Sequence, residues 1–244
     1  MAPIRLLKNR ESNDMLDRDA VEKLIRQSAE RSKKGRREYH LFGKTLISVK
    51  EDILPSIDFD QIIAELEEHM PAHLFEEVDD IFIGSFSEND DRALEAHYDS
   101  GAIYITSDLS TNRDYIENIV HETAHAIEGQ LGLMIYGDRK IDGEFIGKRE
   151  RLAARFRAED IDISTIDFSE PEYSSDFDLF LYKEVGYEKL TNLTMGLFAS
   201  PYAATSLREY FANGFEEYFL GDREYLPKVS PQLFIKIENI VLGE

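Results

Sequence analysis

Residues 121–125 read His-Glu-Thr-Ala-His, two imidazoles four positions apart with a carboxylate directly after the first. On an α-helix, positions four apart differ by about 40° in azimuth and about 6 Å in rise, so both rings project from one face. Rings so placed can reach a single ion at about 2.0–2.1 Å, the bond length of zinc to a histidine nitrogen. Glu122 turns toward the same space and can accept a proton from an attacking water without being a ligand. The chemistry this predicts is metal-assisted hydrolysis. A helical wheel supports the arrangement. Ile116, Ile119, Val120, Ala124, Ile127 and Leu131 fall on one side, His121 and His125 lie opposite beside Asn118, and Glu122 borders both. With 6 His and 49 acidic residues in the chain, an accidental match has odds of about one in a hundred, and the amphipathic context lowers them further. His69 and His73 share the spacing, but Pro71 interrupts them and no Glu follows His69. They read, with His40 and His97, as ordinary histidines.

A catalytic zinc takes three protein ligands and keeps one position for water. The chain has no cysteine, and no third His follows at short spacing, so the third ligand must be acidic. Glu209 is the leading candidate, in the helix-like segment SLREYFANGFEEYFLG. There Leu207, Tyr210, Phe211, Phe215, Tyr218 and Phe219 form an apolar stripe and Glu209 and Asn213 lie one turn apart on the other side. Asn213 would then support a His ligand from behind the metal. Spacing alone leaves Glu184, Glu216 and Glu217 as alternatives to Glu209.

The helix with His121, Glu122 and His125, followed by Tyr202 and then Glu209-Tyr210-Phe211-Ala212-Asn213-Gly214-Phe215, resembles the catalytic domain of anthrax toxin lethal factor and its relatives, which include the clostridial proline-proline endopeptidases. The likeness covers about residues 95–220. It implies a gluzincin peptidase with a thermolysin-like core, one catalytic zinc held by His121, His125 and Glu209, Glu122 as general base, and Tyr202 as hydrogen-bond donor to the scissile carbonyl oxygen. Three departures are visible. The stretch between His125 and Glu209 is long, Asn213 stands where an acidic residue is expected, and the secretion signal of the clostridial relatives is missing.

The elements that must position these groups are legible in part. Residues 14–34 read as a helix, running into a basic cluster of Arg31, Lys33, Lys34, Arg36 and Arg37 that suits a solvated helix end. His40–Val49 and Asp80–Phe86 read as strands, and Asp58–Met70 as a helix that Pro71 ends. Ala93–Tyr98 and Gly101–Thr106 flank the turn residues Asp99-Ser100-Gly101 as a hairpin. Gly101–Thr106 is expected to be the edge strand over the cleft, to which an extended peptide could add by main-chain hydrogen bonds. Tyr115–Gln130 is the active-site helix, with Gly132 at its stop. Residues 133–200 form a mixed insert, with a charged helix near Glu144–Glu159, an acidic loop from Asp160 to Asp178, and further helix to about Phe198. Helices are expected over Ser206–Leu220, with Gly221 as cap, and near Gln232–Leu242.

The predicted class is α+β, with a small mixed or antiparallel sheet over the active-site helix and a mainly helical C-terminal lobe. Residues 1–38 would be a helical extension and 39–244 the metallopeptidase domain, divided into 39–132 and 133–244. A hydrophobic share of 42% in 244 residues allows a real core. The net charge of −21 repels phosphate backbones and argues against nucleic acid. No segment reaches the length of a membrane span, and MAPIRLLKNRESND lacks the apolar run of a signal peptide. The expected setting is cytoplasmic in the producing cell, or delivery by phage or another non-Sec route. The expected partner is a protein or peptide substrate, and the oligomeric state is left open. The rival reading is a zinc-containing binding or structural protein, such as a phage or effector component built on a peptidase-like domain. It would need the metal but neither Glu122 nor Tyr202.

Overall fold

A computed structural model describes residues 37–86 and 94–243. The helix expected over residues 14–34 and all of the basic cluster except Arg37 lie outside them. The architecture is α+β, with eight α-helices and a five-stranded mixed sheet among the described residues. Its strands are β1 (Arg37–Leu41), β2 (Thr45–Val49), β3 (Asp80–Ile83), β4 (Ala96–Asp99) and β5 (Ala102–Ile105), in the order β1-β2-β3-β5-β4. The outer pairs β1–β2 and β4–β5 are antiparallel, and the inner pairs β2–β3 and β3–β5 are parallel.

The three inner strands alternate as period two demands. Ile47 and Val49, Ile81 and Ile83, and Ile103 and Ile105 are all fully buried. At the β4–β5 hairpin, Ser100 (φ 48°) and Gly101 (φ 90°) both take the left-handed region that a tight two-residue turn requires. The parallel β2–β3 crossover carries helix α1 (Phe59–His69). The Asp58 side chain accepts the amides of Asp60 and Gln61 there, a cap worth about 1 kcal/mol.

Gly101–Thr106 is not the edge strand. β5 lies between β3 and β4, and β4 is the edge. The side chains explain the order: Ile103 and Ile105 are fully buried, whereas His97, Tyr98 and Asp99 keep some exposure.

Helix α2 (Asn112–Tyr136) starts at a capping box in which the Thr111 hydroxyl accepts the Asp114 amide and the Asp114 carboxylate accepts the Thr111 amide. Ile116, Ile119, Val120, Ala124 and Ile127 are buried as the wheel requires, and Leu131 is half-buried. Gly132 does not stop this helix, since its α-hydrogen face is open space and the chain continues to Tyr136. Gly137 ends it, at a position where a Cβ would sit 2.4 Å from the Leu133 carbonyl oxygen.

The remaining α-helices are α3 (Lys140–Ala158), α4 (Ser175–Leu179) running into a wide turn over Phe180–Val185, α5 (Tyr187–Thr194), α6 (Leu207–Leu220), α7 (Leu226–Val229) and α8 (Pro231–Leu242). Polar ties hold this lobe. Glu144 of α3 accepts the Tyr210 hydroxyl of α6 and the amides of Gln232 and Leu233 at the start of α8. That placement puts a carboxylate where the helix dipole favours negative charge. Buried Lys148 donates to the Leu197 carbonyl and to Ser230 Oγ at 2.6 Å, and Arg149 lies 3.8 Å over the Phe177 ring. α6 and α8 approach closely at Gly214, where a Cβ would lie 2.2 Å from Leu233 Cδ2. Among the described residues, no helix is long and apolar enough to cross a membrane.

Candidate metal centre

The cleft is about 1060 Å³. Its floor is α2, with Glu117, Asn118, His121, Glu122 and His125; one wall is β4 and the residues before it. The other wall combines Tyr202, Ser206, Arg208, Glu209 and Glu216 with Tyr173 and Tyr187 from the 133–200 insert.

The structure brings His121, His125 and Glu209 together. One ligand atom from each lies within 4.8 Å of the other two. The two rings stand edge to face, 5.0 Å apart. His121 Nε2 is 3.1 Å from Glu209 Oε2, and His125 Nε2 is 3.6 Å from Glu209 Oε1. Three atoms bound to one tetrahedral zinc at about 2.0–2.1 Å would be about 3.3 Å apart, so these separations bracket the expected value. Glu209 Oε2 is a buried oxygen with no hydrogen-bond partner, although an imidazole nitrogen lies 3.1 Å away. Two atoms aimed at a shared third point, rather than at each other, have this geometry. The donor set of two nitrogens and one carboxylate oxygen is also one that catalytic zinc sites use. On these grounds the residues fit the metal.

Three further residues complete the picture. Ser206, at the start of α6, accepts the Glu209 amide on its hydroxyl and so fixes the first turn carrying the ligand. Behind His125, Nδ1 lies 2.6 Å from Glu128 Oε2. Behind His121, Nδ1 lies 3.5 Å from Glu216 Oε2. Both Nε2 atoms therefore face Glu209, while each Nδ1 faces another carboxylate. Of the alternatives to Glu209, Glu216 stands on this far side, Glu217 accepts the Asp222 amide, and Glu184 is exposed and does not line the cleft.

The electrostatics follow from this crowding. Burial alone would lower both histidines, but the carboxylates Glu209 and Glu216 hold His121 up at about 10, and Glu128 and Glu209 hold His125 up at about 9. Burial would raise Glu209, yet the two imidazoles hold it down at about 2. Glu122 is raised, chiefly by burial, against the pull of the imidazoles and a backbone hydrogen bond from Tyr98. A carboxylate raised in this way is a better proton acceptor than an exposed one. The Tyr202 hydroxyl is also raised, by burial first and then by Glu209, so it stays protonated and able to donate.

Asn213 does not support a histidine. Its side-chain amide donates to the Glu209 carbonyl at 2.9 Å, and its oxygen accepts the Ser200 hydroxyl, which in turn accepts the Ala203 amide. Asn213 thus ties the turn carrying Tyr202 to the helix carrying Glu209. It sits among the buried residues of α6, facing the neighbouring loop rather than the cleft. Glu128 was missed by sequence reasoning, although its spacing of three from His125 places it on the same helix face. Of the other histidines, His69 Nδ1 is 2.8 Å from the Glu65 carbonyl and His73 Nε2 is 3.2 Å from the Ile240 carbonyl, both away from the cleft, whereas His97 stacks on Tyr104 at the cleft wall.

No family model, no curated protein and no solved structure matches this chain.

Proposed function

We propose that the protein is a zinc-dependent endopeptidase in which His121, His125 and Glu209 hold the metal, Glu122 is the general base and Tyr202 assists at the carbonyl. The observation that carries this reading is the convergence of both Nε2 atoms on a part-buried Glu209 carboxylate whose buried Oε2 has no hydrogen bond of its own. Zinc held there would supply Lewis acidity toward a water and a carbonyl oxygen. Glu122, buried and raised, accepts a proton from the attacking water and returns it to the leaving amine. Tyr202, protonated and at the same cleft, donates to the oxygen on which charge develops.

The cleft wall favours an extended chain as substrate. In an antiparallel pair, residues alternate between bonding their partner and pointing away. The Thr106 amide donates to the Glu95 carbonyl, so Glu95, His97 and Asp99 face β5, while the main-chain groups of Ala96 and Tyr98 face outward. A peptide can pair with that edge. The resemblance to the lethal factor catalytic domain supports the same assignment of Tyr202 and Glu209. A zinc-braced structural protein would close all four metal positions and would have no use for Glu122 or Tyr202.

The test is incubation of the full chain with a diverse peptide library, with and without a zinc chelator, read by mass spectrometry. The expected outcome is internal cleavage that chelation abolishes and added zinc restores. Cleavage indifferent to chelation, or none with zinc present, would reject the reading.

A further inference from the structure

Of the two imidazoles, His125 is the more firmly held, and the device that holds it is unusual in its placement. Glu128 belongs to α2 itself, three residues beyond His125. Its Oε2 lies 2.6 Å from His125 Nδ1, the Tyr136 hydroxyl donates to its Oε1, and Arg208 Nε lies 3.3 Å from its Oε2. Its side chain is 5% exposed. A buried carboxylate without partners is costly, and here three groups compensate it. Tyr136 is the last residue of α2, so it exists as a partner only because the helix continues past Gly132. Arg208 immediately precedes Glu209 on α6, so its link to Glu128 joins the two helices that carry the ligands.

The His121 side has no such device. Glu216 is 3.5 Å from His121 Nδ1, and its side chain is 32% exposed. Position 213 holds an amide engaged with Ser200, away from the ligand set.

From this geometry we infer that Glu128, braced by Tyr136 and Arg208, is the positioning residue that fixes His125 for the metal. By accepting the proton on Nδ1 it commits Nε2 as the electron-pair donor on the Glu209 side. Through Arg208 it also holds α6 at the separation that keeps Glu209 within reach. The inference rests on the metal reading given above.

The experiment measures zinc affinity of the full chain by competition with a chelator for wild type, Glu128→Gln, Glu128→Asp, Tyr136→Phe and Arg208→Met, with melting of each metal-free variant as a control. Visible spectra of the cobalt-substituted proteins provide a readout that a merely structural role would not move. Glu128→Gln is expected to weaken zinc binding by about 10- to 100-fold and to shift the cobalt bands. Glu128→Asp should recover part of the loss, and the two brace variants should lose less than Glu128→Gln. If Glu128→Gln binds zinc as tightly as wild type with unchanged cobalt bands, while Glu209→Ala releases it, the role of Glu128 is overturned and the metal site stands. If melting falls in proportion to the lost affinity and the bands do not move, Glu128 is only structural and the inference fails. If wild type binds no zinc, the metal reading fails first and takes this inference with it.

Discussion

The two sides of the cleft are built on different principles. The sheet side has an apolar core of Ile and Val on alternating positions, closed by a hairpin turn and two helix caps made within a few residues of sequence. The helical side buries Lys148 and Arg149 and is tied by bonds between residues far apart, such as Glu144 with Tyr210, Gln232 and Leu233, and Lys148 with Ser230. Each contributes part of the site. α2, packed under the sheet, supplies His121, Glu122 and His125 at a spacing its own helix dictates. α6 supplies Glu209, whose place depends on long-range packing. The comparison teaches that one half of the site is local in origin and the other tertiary. Altering α2 should therefore remove ligands or the base themselves, whereas altering the packing of the helical lobe should displace Glu209.

The largest effect belongs to the local half. Glu122→Gln should retain zinc and lose turnover by about 10²–10⁴-fold, measured by cleavage kinetics beside metal analysis. Normal rates would remove the general base. Tyr202→Phe comes next, with kcat lowered by about 10²-fold and metal content intact; unchanged kcat would remove its role at the carbonyl. In the helical lobe, Gly214→Ala should cost about 1–3 kcal/mol in urea unfolding, because the new methyl meets Leu233 in a fully buried contact. A neutral result would mean that α6 and α8 can separate cheaply, which breaks the comparison.

The smallest effect is a slope. Burial holds Lys148 down at about 7, against the pull of Glu144, so it binds its proton less tightly folded than unfolded. Between about pH 7 and 10 the unfolded chain therefore carries a proton there that the folded chain lacks, and stability gains from this residue as pH rises, by at most about 1.4 kcal/mol per pH unit. Lys148→Met should flatten unfolding curves measured across that window, and an unchanged slope would place the titration elsewhere.

The same division explains what could be read from sequence. The helical spacing of His121 and His125, the apolar stripe beneath them and a strand beginning at Asp80 are local patterns, and the structure reproduces them; the single strand expected over 40–49 is instead the hairpin of β1 and β2, turned at Phe42 (φ 52°) and Gly43 (φ 66°). Glu209 was one of four acids until packing brought it to the imidazoles. The edge of the sheet was misassigned because β4 and β5 are equally plausible strands alone; only the parallel pairing of β3 with β5 decides between them. Gly132 looked like a stop because its composition says so, whereas the steric requirement lies at Gly137. Asn213 was expected to support a histidine and Glu128 stands in that place instead, because a side chain's partner on another element is not written in its own neighbourhood. His125 and Glu128 share a helix face, which was the one local clue available.

The account turns on a single ion shared by three named residues. Zinc-reconstituted protein, desalted and measured by elemental analysis with X-ray absorption at the zinc edge, tests this most directly. The account predicts one zinc per chain bound by two imidazole nitrogens and a carboxylate oxygen with a remaining solvent position, and loss of the ion in Glu209→Ala. A chain that retains no zinc, or a Glu209→Ala variant that stays fully loaded, would contradict it.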